Sequence, residues 1–407
     1  MIELHFVQQC CDAIEYLEMG AKCADTNVCY DPLRPVGALL WFSLPKRLGL
    51  PDTSLIYAHL LLLLMSIGLS VFAMRALFPV LKRLRTAGAL TLMVSAMAHV
   101  AFFVPVLFVS LSDAPSGLLA LSGIWIMLAS IRKTLSPVRS GITGAMLGIA
   151  AWIRVAYLPA LLVALVLVLF CRNRKSAAAC VLMALLPVLL QMTCNFSATG
   201  HFAYLDQGTM DHTMNEHWFT PLSGYDTLLP RYPHFLENNC QYSTESVWED
   251  PIKVFTETVC FIREKAYFNF GSYSWHAFIT GGHIPSNAPP VYQLFLQGIQ
   301  QVYQPDTQAA LQSYRYWSHG LLLANLMAIA AFIAFVLAFR KYFDAYGWAA
   351  CFLIAAWTGV NFIILTEQRF LVAPMTCFWL IGFCYLFSLV LQWRLGEQRC
   401  NVCMAKT

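Results

Sequence analysis

The stretch GITGAMLGIAAWIRVAYLPALLVALVLVLFC, residues 141–171, is an apolar block that carries a single charge, Arg154. A helix crosses a bilayer in about 20 residues, so this block is too long for one crossing. Pro159 lies near its middle, and proline interrupts a helix because it lacks an N–H donor. We therefore expect two membrane helices that meet at Tyr157-Leu158-Pro159.

Apolar segments of this kind recur along the whole chain. Apolar residues make up 58% of the sequence and charged residues only 12%, against about 25% charged in a soluble domain. The mean hydropathy is +0.60, and the small net charge of +4 gives no reason to expect nucleic-acid binding. The sequence predicts an all-α polytopic membrane protein of about nine transmembrane helices, with further spans near 55–75, 88–110, 117–131, 177–195, 319–339, 347–365 and 370–392.

Lysine and arginine set the expected orientation, because they are enriched in the cytoplasmic connections of membrane proteins. Their clusters fall in alternate connections and predict one cytoplasmic face; they are Arg75, Lys82, Arg83, Arg85, Arg132, Lys133, Arg139, Arg172, Arg174, Lys175, Arg340, Lys341, Arg394, Arg399 and Lys406.

Two polar regions then fall on the non-cytoplasmic face. Residues 1–54 form an outer region with amphipathic helices, and 196–318 form a large loop domain of mixed or undetermined structure. Between and after them lie a helix bundle, 55–195, and the C-terminal helices with a short cytoplasmic tail, 319–407. Nothing before residue 55 resembles a signal peptide or anchor, so we expect a further helix upstream; the alternative is an N-terminal tail that crosses without one.

Cysteines in these outer regions could pair if the face is oxidising. Cys23 with Cys29, or Cys240 with Cys260, are the two candidate disulfides.

Isolated charges collect on the outer face once the chain is threaded through a bilayer. Charge at a membrane boundary is costly unless it is paired or used. The sequence therefore predicts a functional site built from Asp12, Arg34, Asp113, Arg154, Glu367 and Arg369.

Asp12 and Tyr16 would lie on one face of a helix, because they are four residues apart. A carboxylate there can act as a general base toward an acceptor hydroxyl or amine. The alternative is an ordinary solvated amphipathic helix.

The other charges have functional interpretations, and several also have a purely structural one. Arg34 is suited to forked contacts with phosphate oxygens. Arg154 either extends to the membrane interface or binds an anion. Asp113 could be a simple helix cap, and Glu367 with Arg369 could form a local ion pair in the turn between two helices.

The order of these motifs resembles the GT-C superfamily of integral membrane glycosyltransferases. Within it, the resemblance is to the protein mannosyltransferase and lipid A aminoarabinose transferase group, which uses polyprenyl-phosphate sugars. The matching stretches are Asp12-x-x-x-Tyr16-Leu, Arg34-Pro35-Val-Gly-Ala-Leu-Leu, Ser112-Asp113-Ala-Pro, Gly144-x-x-x-Gly148-Ile-Ala-Ala-x-x-Arg154-x-x-Tyr157-Leu158-Pro159, Asn195-Phe-x-x-x-Gly200-x-Phe and Glu367-x-Arg369-Phe370-Leu-x-x-Pro374.

The resemblance implies a mechanism. Asp12 would be the catalytic base of an inverting hexosyl or pentosyl transfer. Arg34, Arg154 and Arg369 would bind the lipid phosphate of the donor. Supporting roles would fall to Tyr16, Asp113, Tyr157 and Glu367. The sequence departs from the family at residue 13, which is Ala where a second acidic residue is common, and Asp113 replaces the more usual Glu. The resemblance therefore implies no certain cofactor and leaves a divalent metal open.

The expected partners are the polyprenyl-phosphate sugar, the bilayer, and a glycan, glycolipid or protein acceptor. A cell-surface polysaccharide or glycolipid suits a bacterial inner-membrane protein whose active site faces the periplasm. The alternatives are a polymerase or ligase of lipid-linked glycans, or a membrane transporter or lipid flippase. A transporter should carry charges at mid-membrane along a pathway, whereas here they gather at one surface.

Overall fold

The computed structural model describes residues 12–31, 34–83, 85–107, 112–130, 135–204, 252, 308–363 and 371–394. These residues form α-helices joined by short turns and two 3₁₀ segments, with no strand among them. The helices are α1 (Asp12–Thr26), α2 (Val36–Arg47), α3 (Ser54–Leu77), α4 (Val80–Arg83), α5 (Arg85–Leu107), α6 (Asp113–Ala129), α7 (Pro137–Ile153), α8 (Leu158–Leu169), α9 (Arg174–Thr199), α10 (Gln308–Phe339), α11 (Ala345–Ile363) and α12 (Val372–Arg394).

Each of the nine apolar segments expected from the sequence overlaps one of these helices. Among the described residues, five helices are long and apolar enough to cross a membrane: Ser54–Leu77, Thr86–Phe103, Arg174–Thr199, Leu322–Tyr342 and Val372–Arg394. Shorter apolar helices cover Asp113–Ala129, Val155–Leu169 and Ala345–Gly359. The prediction of an all-α polytopic membrane protein is confirmed for the described part of the chain.

The 141–171 block is broken into two helices as expected, although the break begins at Arg154, before the predicted Tyr157-Leu158-Pro159. Arg154 leaves the helical conformation, with φ −141° and ψ 112°, and a single 3₁₀ turn follows from Val155 to Tyr157. Pro159 then occupies the first turn of α8, where its missing N–H would have no helical partner in any case. The break therefore coincides with the one charge in the block.

The chain reverses direction at this break, as the packing of α7 on α9 shows. A Cβ added to Gly144 would meet the carbonyl of Cys180, and one added to Gly148 would meet the carbonyl of Ala184. The same spacing in the same order means that α7 and α9 run parallel. Helix α8 connects these two parallel helices in the chain, so α8 must run in the opposite direction to both. Glycine spacing of this type lets two helix backbones approach closely.

Helices α3 and α5 form an antiparallel pair that buries two histidines. A ring nitrogen of His59 lies 3.2 Å from the carbonyl of Leu107, and Trp41 donates to the other at 3.3 Å. His99 contacts the Ser66 hydroxyl at 2.9 Å and the Ser95 carbonyl at 2.8 Å. Both histidines are fully buried in the helix packing.

The helix ends fall into two groups. We call the end that contains Leu107, Asp113 and Ile153 the outer end; His59 bonds the Leu107 carbonyl there, and Arg154 bonds Asp113. At the opposite end, Ser176 donates to the Leu135 carbonyl and Tyr346 donates to Ser140. This basic end carries the exposed residues Arg75, Lys82, Arg139, Arg172, Arg174, Lys175, Arg340, Lys341 and Arg394.

Helices α1 and α2 pack against each other at the outer end. Tyr16 stacks on Phe42 with ring centroids 5.1 Å apart, and a Cβ on Gly20 would meet the Phe42 backbone at 2.6 Å. A disulfide joins Cys23 to Cys29, so the first of the two candidate pairings is present. The second, Cys240 with Cys260, lies outside the described residues, as does most of the expected loop domain 196–318.

Candidate active site

A buried ion pair stands at the centre of the outer end. Arg154 Nη1 lies 2.7 Å from Asp113 Oδ1, with the side chains 14% and 2% exposed. Asp113 is the first residue of α6, and its carboxylate pairs with this arginine; no side-chain cap bond forms at the preceding Ser112. Arg154 reaches it because the helix breaks there and aims the side chain back toward α6. The arginine therefore lies inside the bundle end.

A chain of polar contacts runs from this pair to the second arginine. Arg154 Nη1 donates to Ser112 Oγ at 3.1 Å, and Ser112 Oγ donates to the Tyr16 hydroxyl at 3.2 Å. Arg34 Cζ then lies 5.0 Å from the centroid of the Tyr16 ring, a cation–π distance. Residues that are far apart in sequence are thus connected across α1, the start of α2, and the start of α6.

Arg34 has a second partner, Glu15, on the first turn of α1. Its Nη2 donates to Glu15 Oε2 at 2.7 Å, with the side chains 19% and 50% exposed. Asp12 lies one turn before Tyr16 and begins α1. The helix therefore carries Asp12 and Tyr16 on one face, although the Asp12 side chain lies outside the described part of the chain.

Tyr157 closes the site on the side of α8. It is hydrogen-bonded with Ser116, and the charges of Arg154 and Asp113 both act on it. Its ring meets Trp357 edge to face with centroids 4.7 Å apart. Ser116 itself donates to the Ser112 carbonyl at 2.5 Å, so the first turn of α6 is held by its own hydroxyls.

The structure thus brings together five of the residues expected from the sequence: Tyr16, Arg34, Asp113, Arg154 and Tyr157. Glu367 and Arg369 lie outside the described residues, so their predicted roles stay predictions.

Some contacts in the site were not expected. Ser112 and Ser116 lie in an apolar context, and hydroxyl residues there give no signal before the helix start is known. Glu15 was not among the residues predicted for the site. Gln191, whose Oε1 accepts the backbone N–H of Val36, could have been noticed as an amide in a mostly apolar part of α9.

The described residues do not fit a metal site. No group of three His, Cys, Asp or Glu side chains lies together in the part of the chain that the structure describes. Asp113 is paired with Arg154 and Glu15 with Arg34. We therefore derive no step through a metal.

Two guanidinium groups held at the end of a helix bundle can bind an anion. Each arginine presents N–H donors in a planar fork that suits phosphate oxygens. Where water is partly excluded, such donors stabilise developing negative charge more strongly than in bulk solvent. The fold and the site define a polytopic membrane protein with two ion-paired arginines at its outer end.

Comparisons with known proteins add little to this definition. No family model matches the chain, and no curated protein sequence matches it. Among solved structures it is similar to ArnT from Cupriavidus metallidurans bound to undecaprenyl phosphate. The identity is 13%, the TM-score is 0.39, and the match covers 99% of this chain and 77% of that chain. A likeness at this level assigns neither a fold nor an activity to this chain.

Proposed function

We propose that this chain is a membrane glycosyltransferase of the GT-C type that moves a sugar from a polyprenyl-phosphate donor to an acceptor. The observation that supports this most is the connection of Arg34 to Arg154 through Tyr16 and Ser112 at the outer end of the bundle. The order of the sequence motifs adds the class of reaction.

The two arginines would hold the phosphate of the donor lipid. Arg154 is fixed by Asp113 and Ser112, and Arg34 by Glu15 and the Tyr16 ring. Arginines oriented in advance stabilise the leaving phosphate without reorganising during the reaction. Arg369 is a third candidate from the resemblance.

The transfer itself would be a single displacement. The acceptor oxygen attacks the anomeric carbon of the sugar and forms the new glycosidic bond. The bond between that carbon and the phosphate oxygen breaks, and its electron pair stays on the lipid phosphate. The acceptor proton passes to the carboxylate of Asp12, which acts as general base. Attack opposite the leaving group inverts the anomeric configuration.

A lipid-linked donor suits the location of the site. The arginines lie where apolar helices end, so a polyprenyl chain could stay in the bilayer while its phosphate reaches them. The short connections at the basic end contain no glycine-rich phosphate loop that would hold a soluble nucleotide sugar.

The compartment follows from charge and disulfide together. Basic residues gather at the end opposite the site, and such connections are cytoplasmic in membrane proteins. The Cys23–Cys29 disulfide lies in the α1–α2 segment that also carries Tyr16 and Arg34, and disulfides persist in oxidising compartments such as the periplasm. We infer a bacterial inner-membrane enzyme with a periplasmic site and a cell-surface polysaccharide, glycolipid or protein as acceptor.

The test is sugar transfer from polyprenyl-phosphate-linked hexoses and pentoses in membranes that contain the full chain. Mass spectrometry of glycans and lipids would read the product. We expect a new sugar with the wild type, loss of it with Asp12→Asn, and normal transfer with Glu18→Gln, a matched exposed carboxylate on α1. No mass change with any donor would contradict the transferase proposal. Transfer that survives Asp12→Asn would contradict the assignment of the base.

A further inference from the structure

A buried amide lies against the turn that carries Arg34. Gln191 on α9 is 2% exposed, and its Oε1 accepts the backbone N–H of Val36 at 2.8 Å. Val36 is the first residue of α2, directly after Arg34-Pro35. The N–H groups of a first helical turn have no partner within the helix. Gln191 therefore supplies one from a neighbouring helix and fixes where α2 begins.

The same amide continues to Asn195, one turn further along α9. Gln191 Nε2 donates to Asn195 Oδ1 at 3.2 Å. Asn195 Nδ2 donates to the carbonyls of Ala203 and Tyr204 at 3.0 and 2.9 Å. Helix α9 ends at Gly200, whose φ of +77° turns the chain back toward its own last turn. Asn195 thereby ties the end of segment 200–204 to the last turns of α9.

The third contact reaches the turn that carries Arg154. The Tyr204 hydroxyl donates to the carbonyl of Ala151 at 2.8 Å, three residues before Arg154. Burial raises the pKa of Tyr204 above its usual range, so the phenol stays protonated and remains a donor. The network thus runs without interruption from Val36 to Ala151.

The two turns also touch each other directly. A Cβ added to Gly37 would meet the Trp152 carbonyl oxygen at 2.5 Å, so the start of α2 packs on the end of α7. Backbone contact alone allows these segments to slide, whereas hydrogen bonds to both of them fix one register.

We propose that Gln191, Asn195 and Tyr204 are positioning residues that fix the turn carrying Arg34 relative to the turn carrying Arg154. They act through backbone atoms of Val36 and Ala151, and within the described residues their side-chain hydrogen bonds do not reach either guanidinium group. The consequence for catalysis rests on the proposed function, since it assumes that both arginines bind one phosphate. The coupling between the two turns does not rest on it.

The experiment uses the purified full-length chain in detergent with two variants, Tyr204→Phe and Asn195→Leu. Tyr204→Phe removes one hydroxyl and keeps the ring, so folding should survive. Thr193→Val is the matched control, because Thr193 is exposed on the same helix and its hydroxyl donates to the Leu189 carbonyl of that helix. Amide hydrogen exchange is followed in peptides that cover 34–40, together with donor kinetics per mole of folded protein.

We expect faster amide exchange at 34–40 in both variants. The Tyr204 hydroxyl bonds to α7 and not to α2, so Tyr204→Phe can change exchange at 34–40 only through the coupling between the two turns. We also expect kcat/KM for the lipid donor to fall by about three- to tenfold, the range that follows from losing one hydrogen bond. The pH profile should stay unchanged, since Asp12 is untouched, and Thr193→Val should match the wild type. Exchange at 34–40 that is unchanged in both variants would overturn the coupling.

The two proposals fail separately. If the wild type transfers no sugar while exchange at 34–40 still responds to Tyr204→Phe, the transferase proposal fails and the positioning network stands. If the wild type transfers sugar and neither variant alters kcat/KM per folded protein, the network has no positioning role in the reaction.

Discussion

Arg154 and Asp113 form a buried ion pair, 2.7 Å between Nη1 and Oδ1, that ties the break between α7 and α8 to the first residue of α6. Removing two charges from water is expensive, and their attraction repays this only when the geometry is good. A buried ion pair adds little net stability to the fold. Removing one partner is nevertheless strongly destabilising, because the other partner stays charged and buried.

Asp113→Asn should therefore destabilise the protein by about 3 kcal/mol, because Arg154 then keeps its charge without a counter-ion. The double variant Asp113→Asn/Arg154→Gln carries no charge and should regain most of that loss. Thermal unfolding in detergent measures both. Asp25→Asn is the control; its pair with Lys46 is exposed and should cost under about 1 kcal/mol. A double variant no more stable than Asp113→Asn would show that the ion pair is not the cause.

The close approach of α7 to α9 should tolerate no side chain at Gly144 or Gly148. Gly148→Ala places a methyl group against the carbonyl of Ala184, and overpacking of this kind costs about 1–3 kcal/mol. Gly68→Ala in α3 has open space around the added Cβ and should be neutral or stabilising, since alanine favours helix over glycine. Thermal unfolding of the two variants compares them, and equal stability would contradict the tight interface.

The Cys23–Cys29 disulfide should stabilise the α1–α2 hairpin by about 2 kcal/mol, the amount expected for a short closed loop. It supplements contacts of Arg47, which donates to the Cys23 carbonyl and to Asn27 Oδ1, both at 3.0 Å. The Cys23→Ser/Cys29→Ser variant should unfold at a lower temperature and should no longer respond to reductant. Alkylation of both thiols in the unreduced wild-type protein would contradict the disulfide.

The distribution of charge predicts which end of the bundle faces the cytoplasm. Single cysteines placed at the basic end, beside Arg139 or Arg172, should react only with a membrane-permeant thiol reagent in intact cells. A cysteine placed at Asp52, in the exposed turn between α2 and α3, should react with an impermeant one. The opposite pattern would reverse the orientation and remove the argument for a periplasmic site.

The helices could be predicted from sequence because hydrophobic length alone determines where a chain can cross a bilayer. A break near Pro159 could be predicted as well, since a proline lies near the middle of a block too long for one helix. The observed break begins a few residues earlier, at Arg154. The grouping of charges at one end followed from counting crossings, which needs no tertiary information.

The contacts within the site could not be predicted in the same way. Whether Arg154 extends to the interface or turns inward depends on its φ and ψ at the break, which no neighbouring residue determines. The hydrogen bond between Ser112 and Tyr16 joins segments that are 96 residues apart in the sequence. No local sequence pattern indicates such a contact. The roles of Gln191 and Asn195 could not be predicted either, because their partners outside α9 are backbone atoms, which carry no sequence signal.

The central claim, that Arg34 and Arg154 together hold a lipid phosphate, is tested most directly by titrating the purified chain with polyprenyl phosphate. Arg34→Gln should weaken binding by about tenfold, the effect of losing a charge-assisted hydrogen bond. The charge-free pair Asp113→Asn/Arg154→Gln should weaken it similarly. Lys46→Gln removes an exposed positive charge from α2 and should leave the affinity unchanged. Wild-type affinity in both arginine variants would contradict the account.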